Sequence, residues 1–198
     1  MSITNFNLKN MKNYFIIHGF ASGNIDNWFP WIKKKIDSDT KLCVIPQFPI
    51  DIDHQNYSSW KLVLDAYKNN NMINDETVLI GHSIGCAFII KYILENNIKV
   101  SKIILVSGFN NFYAEDPNDL HNTVNKTFYV RDDELNEINK YANEVICLYG
   151  DNDPYISQDI LHDYSIKLNA KEIIIHNGGH LNTKAGYNTF DELLKWIY

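Results

Sequence analysis

Ser83 stands between two glycines, in Gly81-His82-Ser83-Ile84-Gly85. An apolar run, Thr77-Val78-Leu79-Ile80, precedes the pentapeptide, and a longer one, Cys86 to Leu94, follows it. That pattern reads as a strand, a sharp turn and a helix. Such a turn lifts a serine hydroxyl to the tip of the strand, where a substrate can reach it. The glycines mark positions where a Cβ would collide with the neighbouring helix or strand. The N–H of Ile84 opens the helix and points at any oxyanion formed beside Ser83. A Gly-Ser turn before a helix serves equally well as a simple N-cap. Serine is inert at neutral pH without a base, so chemistry here requires a histidine and an acid.

The C-terminal third holds both. Glu144-Val145-Ile146-Cys147-Leu148-Tyr149-Gly150 reads as a buried strand with Asp151-Asn152-Asp153-Pro154 after it. Lys171-Glu172-Ile173-Ile174-Ile175-His176 reads as the next strand, followed by Asn177-Gly178-Gly179-His180. The order is then serine, acid, histidine, with each group at the end of a strand. The acid's task is to fix the imidazole tautomer and stabilise the imidazolium, which requires a rigid support. Asp151 and Asp153 compete for it. Pro154 holds its predecessor extended, which favours Asp153, while Asp151 suits a turn in which its carboxylate accepts nearby N–H groups. His180 is favoured as base because Gly178-Gly179 lets its loop curl over the strand ends. His82 is expected to point away from the site, His54, His121 and His162 to lie on the surface, and His176 to face solvent or a neighbouring helix. His18, in Phe15-Ile16-Ile17-His18-Gly19-Phe20, ends the first strand and reads as a loop-shaping residue bonded to backbone. The turn after it offers the Phe20 N–H as a second oxyanion donor, or is an ordinary strand-to-helix turn.

Taken together, His18-Gly19-Phe20, Gly81-His82-Ser83-Ile84-Gly85, Asp153-Pro154-Tyr155 and Gly179-His180 resemble the α/β-hydrolase superfamily. The short length and the Asp-Pro-aromatic turn are similar to the compact serine hydrolases that include retinoblastoma-binding protein 9 and many bacterial proteins classed as esterases. The resemblance extends over residues 12–197. It implies Ser83 as nucleophile, Asp153 as acid and His180 as base, with the N–H groups of Phe20 and Ile84 as the oxyanion hole. It also implies a three-layer α/β fold, a mostly parallel six-stranded sheet in the order 2-1-3-4-5-6 with helices on both faces, and the site at the carboxyl ends of strands 1, 3, 5 and 6.

The chain's own pattern agrees with such a frame. Strands are expected near 13–17, 41–45, 77–80, 102–107, 144–149 and 171–176, several of them unbroken apolar runs suited to cover on both faces. Helices are expected near 26–37, 57–70, 83–96, 157–168 and 186–197. Residues 108–143 break the rhythm with an aromatic, turn-rich excursion and a short helix over 132–141. It lies where lids lie in this architecture, or it is a surface wrap that touches no substrate. Phe109, Phe112 and Tyr113 are candidates to line an acyl pocket. Trp28 and Trp31 are further candidates, although tryptophans at this spacing also suit a core.

The 198 residues fit one domain spanning 1–198, with that excursion attached. A net charge of −6 argues against nucleic-acid or anionic-membrane partners. Three cysteines, odd in number and without C-x-x-C spacing, read as buried free thiols in a reducing compartment. No metal-ligand cluster or phosphate loop is evident, and no cofactor is expected. The asparagine-rich N-terminus lacks the pattern of a secretion signal, and no apolar run is long enough to span a bilayer, so the cytoplasm is the default location. The expected function is hydrolysis of a small ester or related acyl compound through an acyl-enzyme on Ser83. The rivals are a binding or regulatory protein on the same scaffold and an acyltransferase using the same groups. The natural substrate and the oligomeric state are not legible in the residues.

Overall fold

The computed structural model describes residues 11–111, 114, 116 and 118–198. Phe112 and Tyr113, two of the proposed pocket residues, lie outside the described residues. The strands are β1 (Lys12–Ile17), β2 (Lys41–Val44), β3 (Val78–His82), β4 (Val100–Val106), β5 (Ala142–Gly150) and β6 (Lys171–Ile175). They form one sheet in the order β2-β1-β3-β4-β5-β6, and every adjacent pair is parallel. The sheet order and helical cover match the expected frame, with strand bounds displaced by a residue or two.

Alternation along each strand sorts the core into two layers. Phe15, Ile17, Leu79, Ile103, Leu105, Cys147 and Tyr149 face one side. They pack there against α2 (Tyr57–Asn69), α3 (Ile84–Asn96), α4 (Leu120–Phe128) and α5 (Gln158–Lys167). Tyr14, Ile16, Val78, Ile80, Ile104, Val106, Ile146 and Leu148 face the other side. Their cover is α1 (Phe29–Ile36) and α6 (Asp191–Ile197). Strands covered on both faces must be apolar at consecutive positions, which explains the unbroken runs.

Two elements differ from the sequence expectation. The final helix begins at Asp191 rather than near 186, because Gly186 adopts a left-handed conformation at φ 92° and ends a short 3₁₀ turn over Thr183–Ala185. Residues 120–128 form α4, for which no helix was expected. Asp119 caps it by accepting the His121 N–H, and Val124 and Phe128 anchor it on the core. The expected short helix after it is a 3₁₀ stretch over Asp132–Lys140, with Leu135 and Ile138 buried.

The start of α3 lies hard against the end of β1. A Cβ on Gly85 would sit 2.5 Å from the carbonyl oxygens of both Ile17 and His18. A Cβ on Gly81 would sit 2.9 Å from the backbone of Cys86. The two glycines are required by close approach, one against the strand and one against the helix. Gly85→Ala is expected to destabilise the fold by about 3 kcal/mol or more, because the obstructing atoms are backbone and cannot swing aside. Urea unfolding of the variant measures it, and a loss below about 1 kcal/mol would contradict the contact.

Candidate active site

Ser83 directly follows β3 and precedes the first turn of α3, with φ 55° and ψ −129°. A side-chain-bearing residue there is strained, and the surroundings hold it. Its N–H donates to the Val106 carbonyl at 2.9 Å, and its own carbonyl accepts from the Cys86 N–H at 3.0 Å. The elbow is thereby tied to β4 on one side and to the first turn of α3 on the other. Ile84 is the first residue of α3, where a helical N–H has no intrahelical carbonyl to bond.

Across the elbow runs the turn after β1. A Cβ on Gly19 would lie 3.0 Å from the Ser83 Cβ, so the backbone of residues 19–20 passes directly beside the serine. His18 is wholly buried and sets this turn. Its Nδ1–H donates to the Gly19 carbonyl at 3.0 Å, and its Nε2 accepts from the Phe48 N–H at 3.0 Å. A trans peptide carries its C=O and N–H on opposite sides, so fixing the Gly19 carbonyl also fixes the Phe20 N–H. His18 therefore shapes the loop, as its position suggested. Burial lowers its pKa.

The acid and the imidazole meet from the two neighbouring strand ends. His180 Nδ1 and Asp153 Oδ2 are 2.6 Å apart, and the Asp153 side chain is wholly buried. The other carboxylate oxygen accepts the N–H groups of Tyr155 at 2.9 Å and Ile156 at 3.1 Å. Asp153 is thus oriented by the turn that Pro154 opens, and it presents one oxygen to the ring. Asp151 instead accepts the Asn177 N–H at 2.8 Å and pairs with the exposed His176. It braces the turn and takes no part in the His180 contact.

Ser83, His180, Gly19 and Phe20 line one cleft of about 910 Å³. Phe109 lines it too. Trp28 does not, which corrects its assignment as a pocket residue. It is wholly buried, its ring packs edge-on against Phe29 and Phe190, and its indole N–H donates to the Leu181 carbonyl at 2.9 Å. Trp31 is likewise absent from the cleft lining; it packs on the core face covered by α1 and α6.

Two further histidines stand at the cleft. His82 was expected to point away, yet its buried ring lies under the cleft. Its Nε2 is 3.0 Å from the His180 carbonyl, and the two rings have centroids 5.0 Å apart. His121 lies on the surface, as expected. Although exposed, it faces the cleft from α4, its ring centroid 4.1 Å from that of Phe20 and its Nδ1 2.6 Å from Asp119. Ala114, Asp119 and Asn125 bring other parts of the 108–143 excursion to the same cleft. The Asp119-x-His121 spacing at a helix start was the available signal, but it becomes visible only once α4 is recognised as a helix.

A family model described as serine hydrolase matches residues 14–198. The chain belongs to that family. YdeN of Bacillus subtilis (strain 168), named as a hydrolase, is 32% identical over 100 residues, which are 50% of this chain and 51% of YdeN. The aligned stretch thus spans about half the length of that relative. The YdeN crystal structure superposes with a TM-score of 0.80 at 23% identity, covering 94% of this chain and 97% of the other. Similar folds include 2-hydroxy-6-oxo-6-phenylhexa-2,4-dienoate hydrolase from Rhodococcus sp. strain RHA1, at TM-score 0.68 and 13% identity over 94% and 89% of the two chains. Est1E from Butyrivibrio proteoclasticus with ferulic acid bound has TM-score 0.67 and 15% identity over 99% and 93%. These matches carry the serine hydrolase family and its fold; they do not single out the narrower likeness to retinoblastoma-binding protein 9.

Burial sets the protonation of two histidines beneath the cleft. Desolvation pushes His82 down to about 3, with the neighbouring His180 adding to the shift, and it lowers His18 as well. Both rings are neutral in the folded protein near pH 7. An unfolded histidine gains a proton below about pH 6.5 that these buried rings refuse, so the unfolded state binds more protons there. Stability is therefore expected to fall as pH drops from about 6.5 towards 4, by at most about 1.4 kcal/mol per pH unit for each group. Urea midpoints measured across that range check it, and the slope should be shallower in His82→Gln. A midpoint independent of pH would contradict neutral burial.

Proposed function

We propose that the protein is a serine hydrolase that cleaves a small ester or related acyl compound through an acyl-enzyme on Ser83. One observation carries the reading. A buried carboxylate–imidazole pair, Asp153 and His180 at 2.6 Å, opens onto the same cleft as a serine held at a strained strand tip.

Asp153 takes the Nδ1–H of His180, which leaves Nε2 with its lone pair as the base. His180 removes the Ser83 hydroxyl proton as Oγ attacks the acyl carbon. The N–H groups of Phe20 and Ile84 receive the negative charge that develops on the carbonyl oxygen, each worth about 3–4 kcal/mol in comparable sites. The imidazolium then protonates the departing alcohol oxygen as the C–O bond breaks. Water, deprotonated by His180, attacks the acyl-enzyme and releases the acid and free Ser83. No step needs a cofactor.

Phe109 and Phe20 supply apolar wall for the acyl group, and Asp119, His121 and Asn125 add a polar wall from α4 and its cap. Ile25, 80% exposed at the cleft's edge, extends that apolar wall outward. The cleft takes a small molecule, and the net charge of −6 disfavours nucleic acid as partner. Cys43, Cys86 and Cys147 are buried free thiols, which suits the reducing cytoplasm. Among the described residues no helix is long and apolar enough to cross a membrane, and no group of acidic, histidine and cysteine side chains could hold a metal.

Ser83→Ala is expected to lower kcat on short-chain p-nitrophenyl esters by about 10⁴-fold or more while the chain stays folded. A fluorophosphonate probe should label the wild type and not the variant. A panel of graded acyl lengths then places the substrate's size. Full esterase activity in Ser83→Ala would refute the assignment. A folded wild type that takes no label would favour a binding protein on this scaffold.

A further inference from the structure

We propose that His82 and Trp28 are positioning residues, two buried ring N–H groups that hold successive carbonyls of the loop carrying His180. The inference rests on the Ser83–His180–Asp153 reading and adds what sets the height and tilt of the imidazole over the serine.

The loop after β6 needs an external hold. Asn177, Gly179 and Leu181 all have positive φ, at 53°, 58° and 49°, so the backbone zigzags through conformations that two side-chain-bearing residues adopt reluctantly. Internal bonds are few and long. Gly178 N–H reaches the Ile175 carbonyl at 3.1 Å, and Leu181 N–H reaches that of Gly178 at 3.3 Å. Asn152 steadies the near side by accepting the Gly179 N–H at 2.7 Å. Asp153 grips the imidazole itself. None of these holds the carbonyls of His180 and Leu181.

Those two carbonyls are taken from below. His82 lies at the end of β3, one residue before Ser83, and its Nε2 is 3.0 Å from the His180 carbonyl. A carbonyl only accepts, so Nε2 carries the proton and donates. Nδ1 is buried and has no partner among the described residues, so the ring's whole polar role is this one bond. Trp28 stands at the N-terminus of α1, and its indole N–H donates to the next carbonyl, Leu181, at 2.9 Å. The two donors brace each other edge-on at 6.2 Å, and Phe29 packs on both. The elbow, the helix after the oxyanion turn and the base loop are thereby locked into one unit. A histidine beside the nucleophile holds the backbone of the histidine that acts on it.

The test uses the full chain and p-nitrophenyl acetate. His82→Leu removes the donor and keeps apolar bulk. His82→Gln returns an amide N–H near the position of Nε2. Trp28→Phe removes only the indole N–H and part of the ring. In folded His82→Leu and Trp28→Phe, kcat is expected to fall roughly 10- to 100-fold with KM changed by less than about twofold, and His82→Gln should recover kcat to within about threefold of wild type. The far-downfield proton resonance of the His180–Asp153 bond should persist in wild type and His82→Gln and shift or broaden in His82→Leu. Wild-type kcat in folded His82→Leu, or a loss that His82→Gln does not recover, overturns the role of His82. If His82→Leu fails to fold, Trp28→Phe with wild-type kcat overturns the proposal by itself. An inactive Ser83→Ala beside fully active His82→Leu and Trp28→Phe discards this inference alone. An active Ser83→Ala discards the triad reading and this inference with it.

Discussion

The first turn of α3 packs against the end of β1 so closely that Gly85 has two carbonyl oxygens where a side chain would begin. This contact fixes the distance between the ends of the adjacent strands β1 and β3. With it in place, the turn after β1 can run beside the elbow, and Gly19 can pass the Ser83 Cβ at contact distance. Widening that gap by one methyl group would separate the Phe20 N–H from the serine before any chemistry was at issue. The helix start also supplies unbonded N–H groups at the same spot. Packing and electrostatics are thus set by one steric fact. Helix, strand and turn meet closely because residue 85 has no side chain.

A second constraint acts on charge. The polar groups under the cleft are buried, and each is held in a definite protonation pattern by a partner that only accepts or only donates. His18 donates to one carbonyl and accepts from one amide. His82 can only donate to the carbonyl of His180. Asp153 accepts from two backbone amides and from the imidazole. A buried carboxylate with three donors has its desolvation offset by hydrogen bonds, whereas a second charge among the neutral rings would have nothing to offset it. The buried rings of His18 and His82 are thereby held neutral, while His180 pairs with the buried carboxylate at the cleft.

Much of this was legible in the residues because the relevant signals are local. Doubly covered strands show as unbroken apolar runs. Ser83, Asp153 and His180 each follow an apolar run, with Gly81 and Gly85 two residues either side of Ser83, Pro154 after Asp153 and Gly179 before His180, so their places at strand ends could be read without the fold. Three-dimensional partnership could not be read in the same way. In Leu120–Phe128, asparagine, threonine and histidine outnumber the apolar residues, and α4 exists because Val124 and Phe128 find the core and Asp119 caps its start. His121 was unreadable for as long as α4 was. Trp28 looked like pocket wall because it follows the turn after β1. Its indole in fact turns beneath the site, where a buried N–H must find an acceptor and finds Leu181.

His82 shows where period-based reasoning fails at a functional turn. Alternation along β3 predicts that the residue before Ser83 faces the opposite side, and the His82 ring packs there against Trp28 and Phe29. The expectation went wrong at the next step, in equating the far face with distance from the site. The loop carrying His180 descends on that face, as its contacts with Trp28 and Leu181's burial beside Phe190 and Leu193 indicate. A side chain directed away from the serine consequently meets the backbone of His180. In a doubly wound sheet whose reacting groups come from loops on several strand ends, the reverse face of the elbow is part of the site's support. A polar residue there is best read by asking which loop comes down to meet it.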